Sequence, residues 1–109
     1  MPRSRSLGRD RQAHFVAVQY FRDLFDGAMA KAEMRLESGL CRNALFHGRK
    51  AAEYLGAAES EAINHGGLDA GGVSVYPRIR RLTLDARQRL DQLYSELEAG
   101  CVTLNRRRP

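Results

Sequence analysis

Within residues 42–50, Arg42, Phe46, Arg49 and Lys50 are the types that a nucleic acid needs from a protein. Guanidinium and ammonium groups meet phosphate, and an aromatic ring set among them stacks on a nucleobase. Counted at about 100° per residue, these four share with Glu53 the side of a helix opposite its apolar seam. The competing use of Phe46 is packing, against a third helix or an identical subunit. Tyr76, Arg78, Arg80 and Arg81 repeat the theme of an aromatic beside clustered arginines, in a loop or helix entrance where phosphate contacts are commonly made. Arg106, Arg107 and Arg108 close the chain with a third basic cluster.

The string Arg42-Asn43-Ala44-Leu45-Phe46-His47 resembles the Arg-x4-His motif of HEPN-type ribonucleases, including the polar residue after the arginine. Arg9-Asp10-Arg11-Gln12-Ala13-His14 has the same spacing. The resemblance implies a small helical bundle, often dimeric, whose paired motifs cleave RNA without metal. Arg42 would then stabilise the phosphorane charge and His47 would serve as acid or base. The match covers six residues. On an ideal helix Arg42 and His47 point about 140° apart, and Asn43 has a simpler use as a helix N-cap. The chain is therefore read as non-enzymatic, with the ribonuclease kept as an alternative.

Other reactive residues form no constellation. Cys41 and Cys101 make no CxxC and have no histidine at zinc-finger spacing, so they read as ordinary thiols of a reducing cytosol. His14 falls in an apolar stripe and reads as structural. Glu53, Glu59 and Glu61 do not pair at an acid/base spacing. The glycine-rich stretch GGLDAGGVSVYP lacks the Gly-Lys-Ser/Thr of a phosphate-binding loop and reads as turns. No metal and no cofactor are expected.

The elements that position these groups are helices. From Asp10 to Glu37, His14, Val18, Phe21, Phe25, Ala28, Ala32 and Leu36 recur at three- and four-residue spacing. Val16, Tyr20 and Met34 lie together on another side, as expected of a helix covered by more than one neighbour, in a bundle or a dimer. Gly27 lies mid-helix, where close packing or a slight kink is expected. Ser38-Gly39-Leu40 reads as a left-handed helix end with Leu40 folding back, followed at once by an antiparallel second helix. That helix starts near Leu40 or after Asn43 and runs to Asn64-His65-Gly66. Its seam of Cys41, Ala44, Leu45, Gly48, Ala52, Leu55 and Ala62 is small enough to pack closely on Phe21 and Phe25. Val73–Tyr76 reads as a short extended piece before Pro77. A third helix, capped by Thr83, carries Ala86, Leu90, Leu93 and Leu97 inward and ends at Gly100.

At 109 residues with 43% apolar residues and no tryptophan, the chain makes one small domain with a lean core. The expected architecture is all-α, a compact three-helix bundle. Residues 1–9 form a basic flexible arm, 10–100 the helical domain and 101–109 a basic tail. The net charge is +5, with sixteen arginines against two lysines, and the excess sits in the two ends. That balance points to an anionic partner. No run approaches the length of a membrane span, and the N-terminus lacks the apolar core of a secretion signal. The expected role is a cytoplasmic, non-catalytic, nucleic-acid-contacting subunit of an RNA or DNA assembly, self-associating or bound to a protein partner. The alternative is a helical regulator of a partner protein.

Overall fold

A computed structural model describes the backbone of residues 2–102 and the side chains of 11–101. Helices α1 (Pro2–Glu37), α2 (Cys41–His65) and α3 (Pro77–Leu97) form an all-α three-helix bundle. The side chains of the basic arm 1–9 and all of 103–109, including Arg106, Arg107 and Arg108, lie outside the described residues.

α1 ends as its sequence dictates. Gly39 adopts φ +75°, its N–H donates to Leu36 O at 3.0 Å, and the Leu40 N–H donates to Arg35 O at 2.9 Å. This double closure is a Schellman motif. The Leu40 backbone folds back, while its side chain stays exposed. The Ala44 N–H then donates to Leu40 O at 2.9 Å, so α2 is already under way at Cys41. Asn43 is therefore inside the first turn instead of capping it, because the α1 terminus hands its last residue directly to the next helix.

The core divides along the bundle. Phe25, Met29 and Ala32 of α1 meet Ala44, Ala51 and Leu55 of α2 and Ala86, Leu90, Leu93 and Leu97 of α3. Towards the other end, Val18, Ala58, Ala62 and Ile79 are buried, with Phe15, Phe21, Tyr76 and Leu82 packed around them. Small residues on α2 thus face the aromatics of α1, as expected. Gly48 serves α3: a Cβ there would lie 3.2 Å from Leu93 Cδ2. Gly27 serves no internal packing, since a Cβ at that position meets nothing within 4 Å.

α3 starts six residues before the expected cap. Tyr76 is extended, Pro77 takes the first helical position, and the Arg80 N–H donates to Tyr76 O at 2.9 Å. Proline has the φ that position needs and lacks an N–H that would go unpaired. Thr83 consequently lies inside α3, buried, with its hydroxyl donating to Ile79 O at 3.0 Å. At its far end α3 passes at Leu97 into a π-helical turn, Glu98–Val102, that contains Gly100. Between α2 and α3 the extended piece amounts to one bridge, Leu68 to Ser74. Among the described residues no helix is long and apolar enough to cross a membrane.

Cys41 and Cys101 are not free thiols. They are joined in a disulfide with Cα atoms 5.7 Å apart and a sequence separation of 60. The expectation of two thiols rested on the lack of a local motif. The pairing arises because α3 returns antiparallel to α2 and ends beside its start. Closing so long a loop restricts the unfolded chain, a contribution of about 4 kcal/mol in the chain-entropy account. Urea unfolding with and without reductant is expected to show a loss of about 2–4 kcal/mol on reduction, matched by the double variant Cys41→Ser, Cys101→Ser.

Candidate nucleic-acid interface

α2 turns its small residues and Leu55 inward, so most of its charged residues and Phe46 face solvent. Arg42, Phe46, Arg49 and Lys50 are all exposed, and Phe46 retains 56% of its accessible surface. Lys50 Nζ stands 6.0 Å from the Phe46 ring centre and 3.7 Å from a Glu53 carboxylate oxygen. Arg42 and Arg49 have no carboxylate within salt-bridge distance among the described residues. The four residues that the sequence grouped do share one face.

Arg42 also lines a cavity of about 350 Å³ at the disulfide end, with Leu45, Tyr94, Leu97, Glu98 and the two cysteines. His47 is half-buried, its ring edge-on to Phe46 at 5.2 Å. The chain does not bring Arg42 and His47 together across a cleft. They sit on one continuous helix, about 140° apart around its axis.

The second cluster is divided. The half-buried Tyr76 stands edge-on to His65 at 5.0 Å and closes over Gly67, where a Cβ would fall 2.3 Å from its ring. Gly67 also has φ +65°, so that position excludes a side chain twice over. Arg78 stacks on Phe15 of α1 at 5.0 Å from the ring centre. Arg80 pairs with Asp69 at 3.2 Å. Arg81 is exposed, with no carboxylate at salt-bridge distance among the described residues. None of the three is helped by its own helix, whose first turn has no acid and whose N-terminal dipole is positive. Their cationic charge adds to that of the helix end, which suits an anion there.

The two clusters occupy opposite ends of the bundle. Cys41 is bonded to Cys101, beyond the end of α3, whereas Tyr76 lies beside His65 at its beginning. The 21 residues of α3 put about 30 Å between them.

Sequence reasoning missed how α3 spends its other arginines. Arg87 makes a bidentate contact with Glu59 of α2. Arg89 reaches Glu33 and Asp26 of α1, and Arg22 bonds Asp26 at 2.9 Å and donates to Leu82 O at 2.8 Å. Each half-exposed pair contributes at most about 1 kcal/mol, but together they fix how α3 sits on the other two helices. His14, read as structural, is half-buried with Nδ1 2.8 Å from Glu61. The available signal was placement: Arg87 and Arg89 flank the α3 seam, where bordering charges meet neighbouring helices.

No family model, curated protein or solved structure matches this chain.

The loop that Arg80 of α3 contacts is organised by Asp69. Its carboxylate accepts N–H bonds from Val73 at 3.0 Å and Gly71 at 2.9 Å and faces Arg80. The Val73 backbone N–H, with that of Gly71 and the Arg80 guanidinium, holds its pKa below the ordinary 3.8. A depressed carboxylate supports the loop above its unfolded pKa and stops doing so as pH falls through the folded value. An NMR titration of the Asp69 carboxyl carbon is expected to give a midpoint below 3.8. Arg80→Ala should raise it without abolishing the depression, because the backbone donors remain.

Proposed function

We propose that this protein is a non-catalytic nucleic-acid-contacting subunit that grips the phosphate backbone of RNA or DNA through the outer face of α2. One observation carries the reading: a phenylalanine held in solvent on a rigid helix, ringed by Arg42, Arg49 and Lys50. Phe46 is not needed for the core, which faces the other way. Stacking on one base is worth about 1–3 kcal/mol, and any base offers the required face. The arginines supply charge without reading sequence. Arg81, exposed about 30 Å away at the start of α3, offers a second phosphate contact. A nucleoprotein assembly without cofactor is the setting this reading implies. Among the described residues the arginines outnumber those that internal ion pairs consume, which supports an anionic partner.

The apolar row Val16, Tyr20 and Met34 on α1 favours a second reading, a regulator that binds a partner protein. Salt separates the two, since backbone contacts weaken steeply with ionic strength and an apolar interface barely responds.

Fluorescence anisotropy with single-stranded RNA, single-stranded DNA and duplex DNA tests the proposal. Phe46→Ala should weaken single-strand binding about 5- to 150-fold while leaving thermal unfolding unchanged. Replacing both Arg42 and Arg49 by Ala should reduce the slope of log affinity against log salt by about 1.4 for a single strand. Absence of binding to all three probes contradicts the proposal. Progressive loss of intact RNA, abolished by His47→Ala, replaces it with the ribonuclease.

A further inference from the structure

α1 presents to solvent a row that none of the packing described so far uses. Val16, Tyr20, Asp23, Gly27, Ala30 and Met34 follow one another at alternating intervals of four and three residues, and all six are exposed. A strip with this spacing runs along one side of a helix, which is how a helix meets another lengthwise. Val16, Tyr20 and Met34 each keep more than half of their surface, at 56%, 57% and 53%. Gly27 lies at the middle of the row with open space where a Cβ would be. Inside the monomer this glycine only weakens its helix.

We propose that the outer face of α1 is a homodimer interface, in which two copies cross antiparallel on a twofold axis at Gly27. In such a pair the residues equidistant from Gly27 come level with each other. Tyr20 then meets the partner's Met34, an aromatic against a thioether. Asp23 comes level with the partner's Lys31, close enough to the seam for the long lysine side chain to reach the carboxylate. Gly27 meets itself, which lets the two backbones approach closely. Each side-chain contact occurs twice and the Gly27 contact once, on the axis.

The charges choose this arrangement over its competitor. A parallel, in-register pair would put Asp23 against Asp23 and Lys31 against Lys31, stacking like charges at both levels. Only the antiparallel pair converts both into opposite-charge contacts. The pairing runs from Val16 to Ser38, wholly within residues whose side chains are described. One helix face against another is small for a stable interface, so the dimer is expected to dissociate in the micromolar range. It leaves the outer face of α2 uncovered in both copies.

Sedimentation velocity on the full chain across a concentration series tests the proposal, with circular dichroism to follow folding. The wild type should pass from monomer to dimer. Gly27→Leu should remain folded, since its side chain enters open space in the monomer, yet raise the dissociation constant at least about 10-fold by blocking the crossing. Asp23→Lys and Lys31→Asp should each weaken the dimer, and the two together should restore it. A protein that is monomeric throughout overturns the proposal. So does a dimer indifferent to Gly27→Leu, or one that the double charge exchange fails to rescue.

Discussion

The close approach of α1 and α2 is the contact on which the rest of the bundle depends. Ala44, Gly48, Ala51, Ala58 and Ala62 give α2 an inner face of small residues around Leu55, so Val18, Phe25 and Met29 of α1 occupy the space a second set of bulky residues would otherwise take. Packing at interior density leaves little tolerance there; one added branched side chain in such a seam costs about 1–3 kcal/mol. The same economy lets α3 close the groove with Leu90, Leu93 and Leu97, whose reach is met at Gly48 by bare backbone.

That arrangement has a consequence for the surface. With alanine inside, the large and charged residues of α2 fall outside, and Phe46 among basic groups follows from the geometry of the seam. Charge is sorted in a similar way. Arg22, Arg87 and Arg89 are consumed in holding the helices to one another, Arg80 in holding a loop, and Arg78 in covering Phe15. Arg42, Arg49 and Arg81, with Arg11 and Arg35 of α1, are left facing solvent, which separates cations that build the fold from cations able to serve a ligand.

Much of this was legible in the sequence. The alternation of small residues in α2 with aromatics in α1 predicts the seam, and Ser38-Gly39-Leu40 predicts the Schellman turn, because both depend on neighbours a few positions apart. Asn43 and Thr83 misled as helix caps, since the carbonyl of Leu40 and the ring of Pro77 start those helices first. The Cys41–Cys101 bond and the bidentate Arg87–Glu59 pair were illegible because they join residues far apart in the chain. The outer face of α2 was readable as a candidate site, for helical periodicity places Arg42, Phe46, Arg49 and Lys50 together. That Tyr76 is a plug over Gly67 was not, because it depends on how an eleven-residue connection folds.

The claim that one helix builds the core with one face and meets nucleic acid with the other is tested most directly by amide NMR during titration with a short single-stranded RNA. The account predicts shifts concentrated at Arg42, Phe46, Arg49 and Lys50, with a second set near Arg81, both fading as salt is raised. Shifts confined to Val16, Tyr20 and Met34 on α1, or none at all, would contradict it.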